Sequence, residues 1–169
     1  MRNAAVTLRI DGVDAGTAFD RIHDFARYPE FTDVVRSVTV HEISQEEETS
    51  DWEVYFRNGI LRWTEADRFD RATLVISFEQ IDGDFAEFSG SWRISADGRD
   101  SLVAFSADFD FGIPSLAGIL DPVAQRVFKE TIARVVLGLF DWKGSVVDDD
   151  AVTLAIGAPV PAPNTAVLR

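Results

Sequence analysis

The chain of 169 residues contains no cysteine and only two histidines. Without cysteine there are no disulfides, no thiolate zinc sites and no cysteine nucleophile. Because the two histidines are far apart in the sequence, a metal site would have to rest mainly on carboxylates, and we predict none. A Gly-x-Ser-x-Gly serine motif and a glycine-rich phosphate-binding turn are also missing, so we expect no cofactor.

Basic residues are scarce as well. Sixteen Lys and Arg stand against 29 Asp and Glu, which gives a formal net charge of −13. Nucleic-acid backbones and anionic membrane surfaces would repel such a chain, because binding there depends on Lys and Arg. No apolar run approaches the roughly 20 residues of a membrane span. The N-terminus shows no apolar signal segment, so we expect a cytoplasmic protein.

Aromatic residues, by contrast, are abundant. The chain has 13 Phe and 4 Trp within an ordinary globular composition of 46% hydrophobic and 27% charged residues. Its length fits one domain. These rings exceed what a core of this size needs, so some of them are candidates for the walls of a binding pocket.

The order of hydrophobic patterns predicts an α+β fold. Val6, Leu8 and Ile10 alternate as in a half-buried strand, and residues 15–26 have helical spacing. Six further strands follow between residues 34 and 111, with turns such as Asn58-Gly59. The sequence therefore predicts a seven-stranded, curved antiparallel sheet.

The C-terminal part changes from strand to helix periodicity. A wide apolar stripe predicts one long helix over residues 121–143, whose apolar face must be buried against the sheet. We expect the sheet to wrap around this helix and leave an internal cavity, which is the place to look for function. Residues 1–146 form the predicted domain, and 147–169 form a predicted flexible tail rich in proline and alanine.

Three groups of residues, in this order and spacing, carry a resemblance to a known family. They are Tyr28-Pro29-Glu30-Phe31, Asn58-Gly59 followed by Trp63-Thr64 and Arg68, and Gly83-Asp84-Phe85 followed by Gly90-Ser91-Trp92-Arg93. Over residues 6–143 the chain resembles the START-like helix-grip superfamily, within it the polyketide cyclase/aromatase and coenzyme-Q-binding branch. The resemblance implies a deep pocket for a hydrophobic or polyphenolic ligand.

The resemblance also implies an activity. In the aromatase/cyclase members, pocket aromatics and an arginine hold a poly-β-ketone and assist aldol ring closure and dehydration. Arg68 falls at the position of that arginine, and Tyr28 and Trp92 fall at aromatic positions. The chain departs from the pattern at Val35, where some cyclases have a tyrosine, and at Glu79, where a second arginine would stand. It also has Thr64 where a tryptophan would precede the arginine by four residues.

Arg68 and Glu79 are the predicted catalytic residues. A guanidinium can stabilise an enolate oxygen, and Glu79 could transfer protons. Alternatively, Arg68 forms a partly exposed ion pair with a carboxylate such as Glu79 or Asp67. Because successive side chains of a strand point to opposite faces, the residues of the strand that carries Arg68 divide into two sets. The sequence does not say which set lines the cavity. One set is Arg62, Thr64, Ala66 and Arg68, and the other is Leu61, Trp63, Glu65 and Asp67.

The predicted substrate-binding residues are mostly aromatic. They are Tyr28, Thr64, Trp63, Trp92, Phe88, Phe105 and Phe109. Two functions remain open: a cofactor-free polyketide cyclase/aromatase of antibiotic biosynthesis, or a non-catalytic carrier or chaperone of a quinone-like ligand. An acyl carrier protein is a candidate partner that would present the substrate, and the chain could be a monomer or a homodimer.

Overall fold

The computed structural model describes residues 1–157. The strands are β1 Arg2–Ile10, β2 Val35–Glu42, β3 Glu47–Phe56, β4 Gly59–Asp70, β5 Val75–Gly83, β6 Glu87–Asp97, β7 Asp100–Asp110 and β8 Gly144–Val146. The α-helices are α1 Ala15–His23, α2 Ala117–Leu139 and α3 Asp150–Ile156. Two short 3-10 helices lie at Phe25–Glu30 and Pro114–Leu116.

The strands form one curved antiparallel sheet in the order β2-β3-β4-β5-β6-β7-β1-β8. Neighbours from β2 to β7 are consecutive in the chain and joined by short turns, as the spacing of turn residues predicts. The α+β helix-grip prediction is confirmed. The eighth strand, β8, is an addition to the seven predicted strands and pairs with β1.

The core lies between the inner face of the sheet and α2. Alternate residues of each strand point inward, so β1 buries Val6, Leu8 and Ile10 completely. On α2 the buried residues concentrate in the second half, from Thr131 to Leu139. No helix among residues 1–157 is long and apolar enough to cross a membrane.

The long helix occupies residues 117–139 rather than the predicted 121–143. It starts earlier because the chain enters it directly from the 3-10 helix Pro114–Leu116, with Pro122 inside the helix. It ends earlier because Asp141 and Trp142 adopt positive φ angles of 55° and 60°. The amide of Trp142 then donates to the carbonyl of Leu137 at 2.7 Å, which turns the chain toward β8.

The structure differs from the predicted tail boundary at residue 147. Residues 144–157 belong to the packed domain, because α3 lies against α2 and buries Val152 and Ile156. Asp149 caps α3 by accepting from the amide of Val152, and it also binds Lys129 Nζ at 2.9 Å. The rest of the predicted tail, residues 158–169, lies outside the described residues.

Candidate functional site

A cavity lies between the inner face of the sheet and α2. Its lining is almost entirely apolar and aromatic, and its volume is about 50 Å³. The lining residues from the sheet and the N-terminal helices are Phe25, Tyr28, Val35, Trp52, Val54, Trp63, Glu65, Phe78, Phe88, Trp92 and Phe105. Those from α2 are Val127, Phe128, Thr131, Ile132 and Val135.

Aromatic pairs between neighbouring strands form the walls. Trp52 on β3 and Trp63 on β4 are register partners, and their rings stack 5.8 Å apart at an interplanar angle of 1°. On β6 and β7, Trp92 and Phe105 are also register partners, and their rings meet edge-on at 4.8 Å. Rings stacked and crossed in this way bury large apolar areas and present flat faces to a ligand.

Tyr28 contributes its ring to the cavity and keeps its hydroxyl on the backbone. The hydroxyl donates to the carbonyl of Ile22 at 2.6 Å, and the ring stands edge-on to Trp52 and Trp92. Burial, with a smaller effect of nearby carboxylates, raises the pKa of Tyr28 well above its usual value. Tyr28 is therefore a neutral wall residue.

Glu65 is the only carboxyl group among the lining residues that the structure describes. It projects from β4 on the same face as Trp63, is 3% exposed, and accepts a hydrogen bond from Trp63 Nε1 at 2.8 Å. Burial is the main reason that its pKa is raised well above the usual value, and a hydrogen bond to Asp67 adds to this. Glu65 therefore holds a proton under conditions in which an exposed glutamate has lost it.

Glu65 is part of a buried acidic cluster, which we define as Glu48, Glu65 and Asp67. Asp67 lies opposite Glu48 in the pairing of β3 and β4, and Ser50 lies opposite Glu65. Ser50 Oγ donates to Asp67 Oδ2 at 2.5 Å and accepts from Trp52 Nε1 at 2.8 Å. Burial raises the pKa of Asp67 to about 6, while hydrogen bonds from Glu65 and Ser50 oppose this shift.

Three of the predicted site residues lie on the outer face of the sheet. Arg68 is 68% exposed and pairs with Glu47 at 3.1 Å, and Glu79 is exposed on β5. Thr64 donates its hydroxyl hydrogen to Asp51 at 2.6 Å. The structure thus does not bring Arg68, Glu79 or Thr64 to the cavity, because the strand face with Trp63 and Glu65 is the one that turns inward.

The remaining predicted binding residues fall on the inner face. The structure brings Tyr28, Trp63, Trp92, Phe88 and Phe105 together in the cavity lining. Phe109 is fully buried but does not line the cavity; it packs behind the lining, 5.4 Å from the ring of Phe128.

The acidic cluster did not emerge from sequence reasoning. The sequence did contain a sign of it, because Glu65 and Asp67 lie between the aromatic residues Trp63 and Phe69 on one face of the strand. Charged residues are rarely fully buried, so two acidic residues on one face ordinarily indicate that this face is exposed to solvent. Among residues 1–157, no group of three or more His, Asp or Glu side chains is arranged to hold a metal ion.

Comparisons with known proteins agree with this architecture. The chain is similar in structure to TTHA0849 from Thermus thermophilus, with a TM-score of 0.74, 19% identity, and coverage of 92% of this chain and 99% of that one. It is similar to the Zhui aromatase/cyclase from Streptomyces sp. R1128, with a TM-score of 0.71, 19% identity, and coverage of 83% and 93%. A START superfamily protein from Mycobacterium smegmatis gives a TM-score of 0.70 at 16% identity, with coverage of 83% and 98%.

These likenesses establish the fold, and the sequence establishes the family. No curated protein matches the chain. The model of the family described as polyketide cyclase / dehydrase and lipid transport matches residues 12–136. This match covers most of the chain and confirms the resemblance drawn from the three groups of residues. The chain therefore belongs to the polyketide cyclase/dehydrase and lipid transport family.

Proposed function

We propose that the protein is a cofactor-free cyclase or dehydratase that holds an uncharged polyketide or related aromatic intermediate in its cavity. The observation that carries the proposal is Glu65, a buried carboxyl group that reaches an otherwise apolar and aromatic cavity. Family membership and the likeness to the Zhui aromatase/cyclase support the reaction class.

The chemistry suits a neutral carboxylic acid. Aldol ring closure develops negative charge on a carbonyl oxygen, and dehydration needs a proton on the departing hydroxyl. A carboxylic acid that stays protonated in an apolar site can donate to either oxygen. In this proposal Glu65 gives the proton, and Asp67, whose pKa is also raised, is its partner.

Glu65 replaces the arginine that the resemblance assigned to this task. No Arg or Lys side chain is among the cavity-lining residues that the structure describes. An ionised poly-β-ketone would meet a buried acid there without any compensating cation, so the cavity favours a neutral ligand. The catalytic assignment accordingly moves from Arg68 and Glu79 to Glu65.

Ligand entry requires movement of the walls. The cavity volume of about 50 Å³ holds a few water molecules at most, whereas sites for drug-sized ligands measure roughly 300 Å³ or more. The first half of α2, which contributes Val127 and Phe128 to the lining, is less buried than the second half. We infer that this part of α2 moves outward when a ligand binds.

The second candidate is a carrier that binds a hydrophobic molecule without turning it over. The observation in its favour is the lining itself, which apart from Glu65, Thr131 and the Tyr28 hydroxyl offers mainly aromatic and aliphatic surface. Presentation of the substrate by an acyl carrier protein, a cytoplasmic location and a place in antibiotic biosynthesis are further parts of the cyclase proposal.

The test is co-expression with a minimal polyketide synthase that releases a poly-β-ketone. We expect wild type and Arg68→Ala to give the same shifted product profile, and Glu65→Gln to give the profile of the empty vector. Binding of 2-naphthol, a neutral aromatic probe, is measured in parallel by quenching of tryptophan fluorescence, since three tryptophans line the cavity. Glu65→Gln is expected to keep this binding.

Each outcome decides between the candidates. A wild-type profile identical to that of the empty vector, together with probe binding, favours the carrier. If Glu65→Gln retains the wild-type profile, Glu65 is not the acid and the proposed mechanism is wrong. Loss of the shifted profile in Arg68→Ala would return the catalytic role to the outer face of the sheet.

A further inference from the structure

The acidic cluster lies between the cavity and a partly exposed histidine, His23. At its outer end, His23 Nε2 lies 3.1 Å from Glu48 Oε1, and the His23 side chain is 30% exposed while that of Glu48 is buried. His23 is the last residue of α1, and its ring stacks on Phe69 with a centroid distance of 3.6 Å. The imidazole is thus held in contact with both solvent and a buried carboxyl group.

Two carboxylate oxygens in the middle of the cluster have no hydrogen-bond partner among the described residues. They are Glu48 Oε2 and Asp67 Oδ1, and both are buried. Glu48 and Asp67 face each other across β3 and β4. A buried acceptor without a donor is unfavourable, and a proton on either carboxyl group would turn that group into a donor.

The inner end of the cluster is already connected. Glu65 and Asp67 are two residues apart on the inner face of β4, both are buried, and each influences the pKa of the other. Ser50 fixes the orientation of Asp67 through Oδ2, which leaves Oδ1 without a partner among the described residues. His23, Glu48, Asp67 and Glu65 therefore form a continuous series from solvent to the cavity.

We propose that His23, Glu48 and Asp67 form a proton path that returns a proton from solvent to Glu65 after each turnover. The proposal rests on the proposed function of Glu65 as an acid. When Glu65 gives its proton to a ligand oxygen it becomes a carboxylate. A solvent proton then enters at His23 and passes through Glu48 and Asp67 to Glu65, each group giving on the proton that it has just received. The proton that the ligand loses from its α-carbon goes to water, so cyclisation with dehydration consumes no net proton.

The groups around the cluster come from several elements. The titratable groups that affect the pKa values of Glu65 and Asp67 are His23 of α1, Glu48 of β3 and the two acids themselves. The cluster in turn raises the pKa of Tyr28 in the 3-10 helix. The cavity-lining residues of α2 are Thr131 and apolar residues, and those of β5, β6 and β7 are aromatic. Arg68 and Glu79 line a surface groove with Glu48 and Asp67, but Arg68 pairs with Glu47. Among the described residues, His23 is the basic side chain that lies within 4 Å of a carboxyl group of the cluster.

The proton path can be tested without knowing the substrate. The carboxylic-acid C=O stretch of the folded protein is followed by rapid-mixing infrared spectroscopy after dilution into D₂O, and loss of the band in Glu65→Gln assigns it. We expect the deuterium shift of this band to be about tenfold slower in Glu48→Gln and in His23→Gln, as expected for a barrier about 1.4 kcal/mol higher.

Matched controls come from the outer face of the sheet. Glu47→Gln removes the neighbouring exposed carboxylate, and His41→Gln removes a histidine that lies 2.9 Å from Asp51 in an exposed pair. Both are expected to exchange at the wild-type rate. Backbone amide exchange, measured on the same samples, reports opening of the fold and is expected to remain unchanged in all four variants.

A merely structural role for the cluster predicts a different pattern. If Glu48→Gln and His23→Gln exchange the acid proton at the wild-type rate, or if acid and amide exchange change together, the proton path is refuted. His23→Gln decides the question if Glu48→Gln fails to fold, because His23 is partly exposed. The path can fail while Glu65→Gln still abolishes the product profile, so the two proposals are tested separately.

Discussion

Replacing Asp67 with asparagine should change how the stability of the protein depends on pH. Asp67 is 2% exposed on the inner face of β4, where burial is the main cause that raises its pKa to about 6. In the unfolded chain the same carboxyl group has its ordinary pKa of 3.8. The folded state therefore holds this proton more tightly than the unfolded state does.

The size of the effect follows from the difference between the two pKa values. Because the folded pKa is the higher one, the stabilisation is present below pH 3.8 and is lost as the pH rises through about 6. A shift of about 2 pH units corresponds to about 3 kcal/mol, a large share of the 5–15 kcal/mol that stabilises most domains. Glu65, whose pKa is also raised, acts in the same direction.

Asparagine removes the ionisation and keeps the shape. Its side-chain carbonyl can accept from Ser50 as Asp67 Oδ2 does, and its amide can donate to the unpartnered Glu48 Oε2. We therefore expect Asp67→Asn to have about wild-type stability near pH 4 and to be more stable by about 3 kcal/mol near pH 7.5.

Urea unfolding followed by tryptophan fluorescence measures this difference, because Trp52, Trp63 and Trp92 are buried. The exposed Glu79→Gln on β5 is the control and should track the wild type at every pH. Carboxylates whose pKa is lowered by hydrogen bonds, such as Asp51 and Glu53, affect both proteins equally. A difference that stays constant within about 0.5 kcal/mol from pH 4 to pH 7.5 would refute the reasoning.

Two further predictions concern the framework of the cavity. Gly90→Ala should lower the free energy of unfolding by about 2–3 kcal/mol, because a Cβ there would lie 2.1 Å from the carbonyl oxygen of Ser106. Urea unfolding measures this difference, with Gly118→Ala as the control, because a Cβ added at Gly118 has no neighbouring atom within 4 Å. Equal stability of the two variants would contradict the prediction. Asp149→Ala should lower the free energy of unfolding by about 1 kcal/mol, because it removes the cap of α3 and the partner of Lys129. The same change should make α3 easier to cleave by a protease, and an unchanged cleavage rate would contradict this role of Asp149.

The sequence by itself was sufficient for the seven strands β1 to β7 and for the long helix that packs against them. Period-two alternation in β1 and the turn residues after each later strand are local properties, and each strand of the series pairs with the next. The two aromatic residues assigned to the cavity from the resemblance also lie there, because Tyr28 and Trp92 are large, mainly apolar groups that are buried in the interior. For the strands and for these aromatic residues, the local sequence pattern and burial in the folded protein predict the same location.

The end of the domain was less accessible to sequence reasoning. The acidic and small residues after 147 resemble a linker in composition, yet 150–156 form a helix on α2. This helix is held in place by its cap at Asp149, by the contact of Asp149 with Lys129, and by two buried side chains. Such contacts depend on residues distant in sequence, and composition does not report them.

The identity of the site was decided only by the tertiary structure. The sequence divides β4 into two faces, one with Arg68 and one with Glu65, but the alternation of a strand is the same whichever face turns inward. The closure of the sheet over α2 buried the acidic face, where Ser50 donates a hydrogen bond to Asp67 and Trp63 donates one to Glu65. Burial then raises the pKa of Glu65 and Asp67, a property that neither residue has in the isolated strand.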